Sequence, residues 1–171
     1  MKRLLLLRHA KSSWADDRLG DFERPLAPRG VHAAAAMARF LADEGLVPDL
    51  VLCSAAKRTV ETWKHIADKL GGKPRVRIEP ELYLAEAETL LDRLRAAPDK
   101  SATVMLIGHN PGMETLARLL AGAGDATALR RMKAKFPTAA LAVIDADAAR
   151  WSELAKRRGR LVRFVTPKDL G

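Results

Sequence analysis

The chain reads as an α/β domain of three layers, with a mostly parallel central sheet covered by helices on both faces. Three observations predict this. Short apolar runs bounded by turn residues recur along the sequence. Amphipathic helical patterns fill most of the intervals between them, as in strand–helix–strand units. The first run, Leu4–Leu7, is apolar throughout rather than alternating, which is the pattern of a strand buried on both faces. No internal repeat, low-complexity tract or long linker interrupts the alternation, so residues 1–171 are expected to form one domain.

Taken in order, Leu4–Leu7 is the first strand, stopping abruptly at Arg8-His9. Val31, Ala34, Ala35, Ala38, Leu41 and Ala42 keep helical spacing, and Gly45 is the stop. Leu50–Cys53 is the second strand, with Ser54 as N-cap of a helix carrying Val60, Trp63, Ile66, Ala67 and Leu70 and closed by Gly71-Gly72. Val76–Ile78 is a third strand, and Glu88 to Ala97 a helix. After the strand Val104–Ile107, Asn110 reads as an N-cap and Pro111 as the first residue of a helix. Leu116, Leu119 and Leu120 mark that helix, which should end near Gly122. Leu141–Ile144 and Leu161–Val165 are the last strands, with a helix expected from Ala146 to Lys156 between them.

Composition narrows the function classes. Hydrophobic residues at 48% and charged residues at 30% describe a soluble globular chain. No apolar run is long enough to span a membrane. Met1-Lys2-Arg3 followed by four leucines resembles a signal peptide superficially, but the run is too short and Arg8 and Lys11 interrupt it, so a cytoplasmic location is expected. The lone Cys53 excludes an intramolecular disulfide and fits a reducing compartment. A net charge of +9 points to acidic partners. Nucleic acid is the weakest of these, because aromatics are only 5% and no stacking motif is present. Basic runs at Arg130–Lys135 and Lys156–Arg160 are either solvated helix ends and a loop, or a docking surface for an acidic partner.

Ligands of open α/β sheets bind beyond the carboxyl ends of the strands. Three polar clusters fall there: Arg8-His9 after the first strand, Ser54 with Arg58 one turn into the next helix, and Gly108-His109-Asn110-Pro111-Gly112. The guanidinium fork matches phosphate oxygens, imidazole is a capable nucleophile towards phosphorus, and helix starts favour anions. Arg18, Asp21 and Arg24 form a charged stretch that either borders this site or is a salt-linked surface loop. His32 and His65 lie in helical patterns without partner spacing and read as surface or boundary residues, and no cluster has metal-ligand spacing. Trp14 sits in the loop just beyond the site; Trp63 and Trp151 read as packing residues.

These residues resemble the histidine phosphatase superfamily, also called phosphoglycerate mutase-like. The likeness rests on Arg8-His9-Ala10, Ser54-Ala55-Ala56-Lys57-Arg58 and Gly108-His109-Asn110-Pro111-Gly112, with Ala10 where glycine is usual. Arg8-His9-Ala10-Lys11-Ser12, Arg24-Pro25-Leu26 with Gly30, and Phe136-Pro137-Thr138 are similar to the small SixA-type phosphohistidine phosphatases. The resemblance implies that His9 attacks phosphorus and that Arg8, Arg58 and His109 hold the phosphoryl oxygens. It further implies that Ser12, Arg24 and Asn110 contact substrate, and that neither metal nor cofactor is used. The expected substrate is phosphohistidine in an acidic protein such as a histidine-containing phosphotransfer domain, and inorganic phosphate is the product. Larger members that cleave phosphate esters use a carboxylic acid. Glu81 and Glu86 lie in the corresponding part of the chain, in no motif matching that acid. A small-molecule phosphate esterase, with Glu81 or Glu86 as the acid, is the alternative enzyme. A non-catalytic phosphoprotein-binding module is the third reading, and the nucleophile His9 argues against it.

Overall fold

The leucines Leu4–Leu7 are each wholly buried because opposite faces of one strand feed two different cores. In the computed structural model, which describes residues 1–171, β1 (Lys2–Arg8) is the middle strand of a seven-stranded sheet. Leu4 and Leu6 pack on one side and Leu5 and Leu7 on the other, as the two-residue period of a strand requires. Full burial of such side chains stabilises the fold by about 1.5–3 kcal/mol each.

Around β1 the chain runs α1 (Pro28–Asp43), β2 (Leu50–Ser54), α2 (Lys57–Leu70), β3 (Arg75–Glu79), α3 (Ala87–Arg95) and β4 (Thr103–Gly108). It continues through α4 (Gly112–Leu120), β5 (Ala121–Gly124), α5 (Ala126–Ala134), β6 (Leu141–Ala146) and β7 (Gly159–Val165). The strand order is β3-β2-β4-β1-β6-β7-β5. β1, β2, β3 and β4 run parallel to one another, β5 is parallel to β7, and β6 is antiparallel to both β1 and β7. The expected mostly parallel, three-layer architecture is therefore present. Residues of α1 and α2 cover one face of the sheet, and those of α3, α4 and α5 the other.

The structure corrects several expectations. Residues 146–156 are not a helix. Ala146 ends β6, Asp147 N–H donates to the Arg158 carbonyl, and only a 3-10 turn forms at Trp151–Glu153. Trp151 prevails over helical propensity there: it is fully buried and its indole N–H donates to the Ser101 carbonyl at 2.7 Å. The strand β5 was not expected, since Ala-Gly-Ala-Gly lacks the branched and aromatic residues that mark strands. It ends the preceding helix at Leu120, short of Gly122. The helix α5 was also unforeseen as an element; Asp125 caps it by accepting from the Ala128 amide at 2.9 Å. The basic run from Arg130 is largely the exposed end of that helix.

Ser54 and Asn110 are not N-caps as expected. Ser54 is the buried last residue of β2, and α2 begins only at Lys57. Pro111 occupies the cap of α4, although Asn110 Oδ1 still accepts from the Glu114 amide at 3.2 Å. Both polar side chains have partners in the site itself, and those fix their positions.

One close approach ties α1 to the loop after β1. A Cβ built at Gly30 would stand 2.1 Å from the Lys11 carbonyl oxygen, so only glycine lets the helix start lie on this loop. Gly30→Ala would gain about 1 kcal/mol of helix propensity but would force backbone apart. We expect a net loss of about 1–3 kcal/mol in chemical denaturation, with reduced turnover because Lys11 follows the Arg8-His9 segment closely.

Candidate active site

β1, β2 and β4 end at the same edge of the sheet, and their last residues deliver the predicted groups to one place. Arg8 pairs in register with Gly108, and His9 N–H donates to the Gly108 carbonyl. His9 and His109 consequently lie side by side, with ring centroids 5.3 Å apart. Both are almost fully buried.

The orientation of His9 is set locally. Nδ1 lies 2.7 Å from the Ala10 carbonyl oxygen, which only accepts, so the proton is assigned to Nδ1 and the lone pair to Nε2. The Ala10 amide is itself held by Thr62 Oγ1 at 3.0 Å, and the Thr62 hydroxyl donates to the Arg58 carbonyl at 2.7 Å. One hydroxyl on α2 thus links the His9 loop to the backbone of Arg58. Burial pushes His9 down to about 4, with Arg58, Arg8 and Arg24 adding to the effect against the Ala10 hydrogen bond. His9 is neutral at pH 7.

His109 is lowered further, to about 3, mainly by burial and then by His9 and Arg58. Its Nε2 lies 2.7 Å from Ser54 Oγ. That oxygen also accepts a long bond from the Ala56 amide at 3.4 Å, and its own proton meets no acceptor other than Nε2, so the hydroxyl is assigned as donor to His109. His109 then carries its own proton on Nδ1, a buried atom without a partner. Arg8 Nε is the other buried polar atom lacking one. Arg8 Nη1 and Asn110 Nδ2 both donate to the Phe136 carbonyl, at 3.1 and 2.9 Å. Burial lowers Arg8 from its ordinary value, and Glu114 opposes that shift.

Asp21 is the hub of the remaining charges. Arg58 donates to its carbonyl at 2.7 Å and to its Oδ2 at 2.9 Å, and Arg24 donates to Oδ1 at 3.0 Å. The Tyr83 hydroxyl donates to Oδ2 as well. The Tyr83 hydrogen bond holds the Asp21 carboxyl below its usual range; burial opposes it, and Arg58 and then Arg24 add to the lowering. Arg24 also donates to Ser12 Oγ and stacks on the exposed Trp14 ring, with 3.4 Å between guanidinium carbon and ring centroid. The Tyr83 ring meets His109 edge-on at 5.4 Å.

Arg8, His9, Arg58 and His109 are thereby brought together, with Asn110 joined to Arg8 through Phe136 and with Ser12 and Arg24 joined to Arg58 through Asp21. Glu81 and Glu86 are exposed, and no hydrogen bond or ion pair connects either to these groups. His32 is exposed and His65 half-buried, both outside the site. Of the charged stretch, Asp21 and Arg24 border these groups, whereas Arg18 is exposed and salt-linked to Asp16 on the surface loop. Tyr83 and the Ser54–His109 contact escaped sequence reasoning. Tyr83 follows the end of β3, at the same sheet edge, and that placement was the available signal. No group of three or more His, Cys, Asp or Glu side chains is arranged to hold a metal ion.

The comparisons agree with this geometry. Residues 4–88 match the family described as histidine phosphatase superfamily (branch 1). An uncharacterized protein of Mycobacterium leprae is 35% identical over 166 residues, covering 95% of this chain and all of its own length. A provisionally assigned phosphohistidine phosphatase SixA from Agrobacterium tumefaciens superposes with a TM-score of 0.82 at 34% identity, over 97% of this chain and 98% of that one. Its counterpart from Nakamurella multipartitia gives 0.83 at 28% identity, over 97% and 96%. With two neutral histidines and their arginines at one sheet edge, and these likenesses over nearly its whole length, the chain belongs to the histidine phosphatase superfamily, in its SixA-type branch.

Proposed function

We propose that this phosphatase hydrolyses phosphohistidine carried by a protein, through a phosphohistidine intermediate on His9. The observation that carries the reading is the state of the carboxylates. Asp21, the one carboxylate bonded to the site, is held ionised by Tyr83, Arg58 and Arg24, and so has no proton for a departing alkoxide. An ester would suffer from this by about 10²–10⁴ in rate. A phosphoramidate would not, because phosphohistidine protonated at its other ring nitrogen expels neutral imidazole without an acid from the enzyme.

The steps follow from the residues. His9 Nε2 forms a bond to phosphorus as the substrate's P–N bond breaks, and the bonding pair goes to the substrate ring, which, protonated at its other nitrogen, leaves as neutral imidazole. Water then attacks phosphorus, phosphate departs and Nε2 regains its lone pair. The Ala10 carbonyl, accepting from Nδ1, holds the ring aimed and stabilises the positive charge that develops on it. Arg8, Arg58 and the Nδ1–H of His109 would meet the phosphoryl oxygens; each such fixed donor is typically worth about 10²–10³ in rate. Ser12, Arg24 and Asn110 would contact or position substrate around them. No metal or cofactor enters any step. A reducing cytoplasm is the setting we propose, consistent with the buried, unpaired Cys53.

His9→Ala should abolish turnover while leaving the fold intact, and quenched wild-type reactions with labelled substrate should carry acid-labile, base-stable phosphate on His9. Retention of more than a few per cent of activity by His9→Ala would overturn the covalent route.

Both site histidines titrate below the ordinary histidine value, so the acid limb of kcat/KM should centre near pH 4 rather than 6.5. The sign for stability is the same. Below about 6.5 the unfolded chain binds protons that the folded histidines refuse, so folding stability should decline from pH 6.5 towards 4.

Substrate class is decided by comparing kcat/KM for a phosphorylated phosphotransfer domain with that for sugar and glycerate phosphates. The phosphoprotein should win by at least tenfold. A winning ester whose hydrolysis is lost in Glu81→Gln or Glu86→Gln would establish the small-molecule alternative.

A further inference from the structure

Beside the catalytic residues, on the same edge of the sheet, lies a groove of about 660 Å³ that the reaction above does not use. Lys11, Arg29, Arg131, Lys135 and Lys168 surround it, and no acidic side chain lines it. Arg131 is paired with Asp169 at 2.7 Å. The other four make no ion pair and no side-chain hydrogen bond, and all four are exposed. The floor is apolar, made by Phe164 with alanine and proline side chains.

The groove and the catalytic site share structure. Lys11 lies two residues beyond His9. Thr138, on the groove wall, precedes Ala139, whose N–H donates to the carbonyls of both Arg8 and His9. A ligand seated here lies against the segment that carries the nucleophile.

We propose that this groove docks an acidic amphipathic helix of the phosphoprotein while its phosphohistidine enters the catalytic site. The identity of the partner rests on the phosphohistidine reading above; the chemistry of the groove does not. Four uncompensated cations around an apolar floor match a helix with one apolar stripe flanked by Asp and Glu. A volume of about 660 Å³ admits a few side chains of such a stripe. Nucleic acid fits less well, because the groove offers no open stacking face: Phe164 is only 6% exposed and the Arg131 guanidinium stacks on it at 5.5 Å.

The test uses the triple variant Arg29→Glu/Lys135→Glu/Lys168→Glu, with the corresponding triple alanine variant as a milder control of folding. Activity is measured on a phosphorylated phosphotransfer domain and on free phosphohistidine. Charge reversal should lower kcat/KM for the protein at least tenfold, mainly through KM, and leave free phosphohistidine within twofold of wild type. In parallel, a fluorescein-labelled synthetic helix with a leucine stripe and glutamate flanks should bind wild type and lose at least tenfold in affinity on charge reversal. Unchanged protein kinetics in an active triple variant would overturn the proposal. If wild type turns over neither phosphohistidine substrate, it is the functional reading that fails, and the peptide titration alone decides the groove. Tripolyphosphate binding that charge reversal abolishes, with no peptide binding, would assign the groove to small polyanions and overturn it.

Discussion

Three guanidinium groups cannot be gathered at one sheet edge, largely out of water, unless their charge is offset and their positions fixed. Asp21 meets that requirement for two of them. Its carboxylate and carbonyl accept from both ends of the Arg58 fork and from Arg24, and Tyr83 adds a further donor. Arg8, the third, is held instead by the Phe136 carbonyl and faces Glu114. Placement of the remaining groups depends on this arrangement. Arg58 carries Thr62 with it, Thr62 holds the Ala10 amide, and the Ala10 carbonyl aims His9.

Burial above all, with the positive charge that would bind a phosphoryl group adding to it, keeps both histidines neutral. For His109 that neutrality lets Ser54 dictate which nitrogen bears the proton. For His9 it leaves the Nε2 lone pair free, as the proposed attack on phosphorus requires.

Much of this was legible in the residues. The uniform apolar run Leu4–Leu7 announces a strand with two buried faces, and Arg8-His9, Arg58 and His109 fall where strands of such a sheet end. What remained hidden was long-range. Asp21 reaches Arg58 across 37 residues and Tyr83 reaches Asp21 across 62, with no periodicity to betray either contact. Ser54 looked like a cap because cap and site partner use the same hydroxyl. The helix expected over 146–156 failed because the burial of Trp151 and the pairing of Asp147 with Arg158 outweigh weak local propensity. The strand β5 is made of alanine and glycine, which carry almost no strand signal.

Cys53 has a consequence of a different kind. Its thiol is wholly buried at the end of β2, donates to the Ser54 carbonyl at 3.3 Å, and is pushed by burial up to about 12. Oxidants and alkylating agents act on thiolates, and this sulfur forms none at neutral pH. It sits one residue from the serine that orients His109, yet it is chemically silent there. Under the proposed mechanism, in which the nucleophile is an imidazole, this shielded cysteine offers peroxide no thiolate to attack.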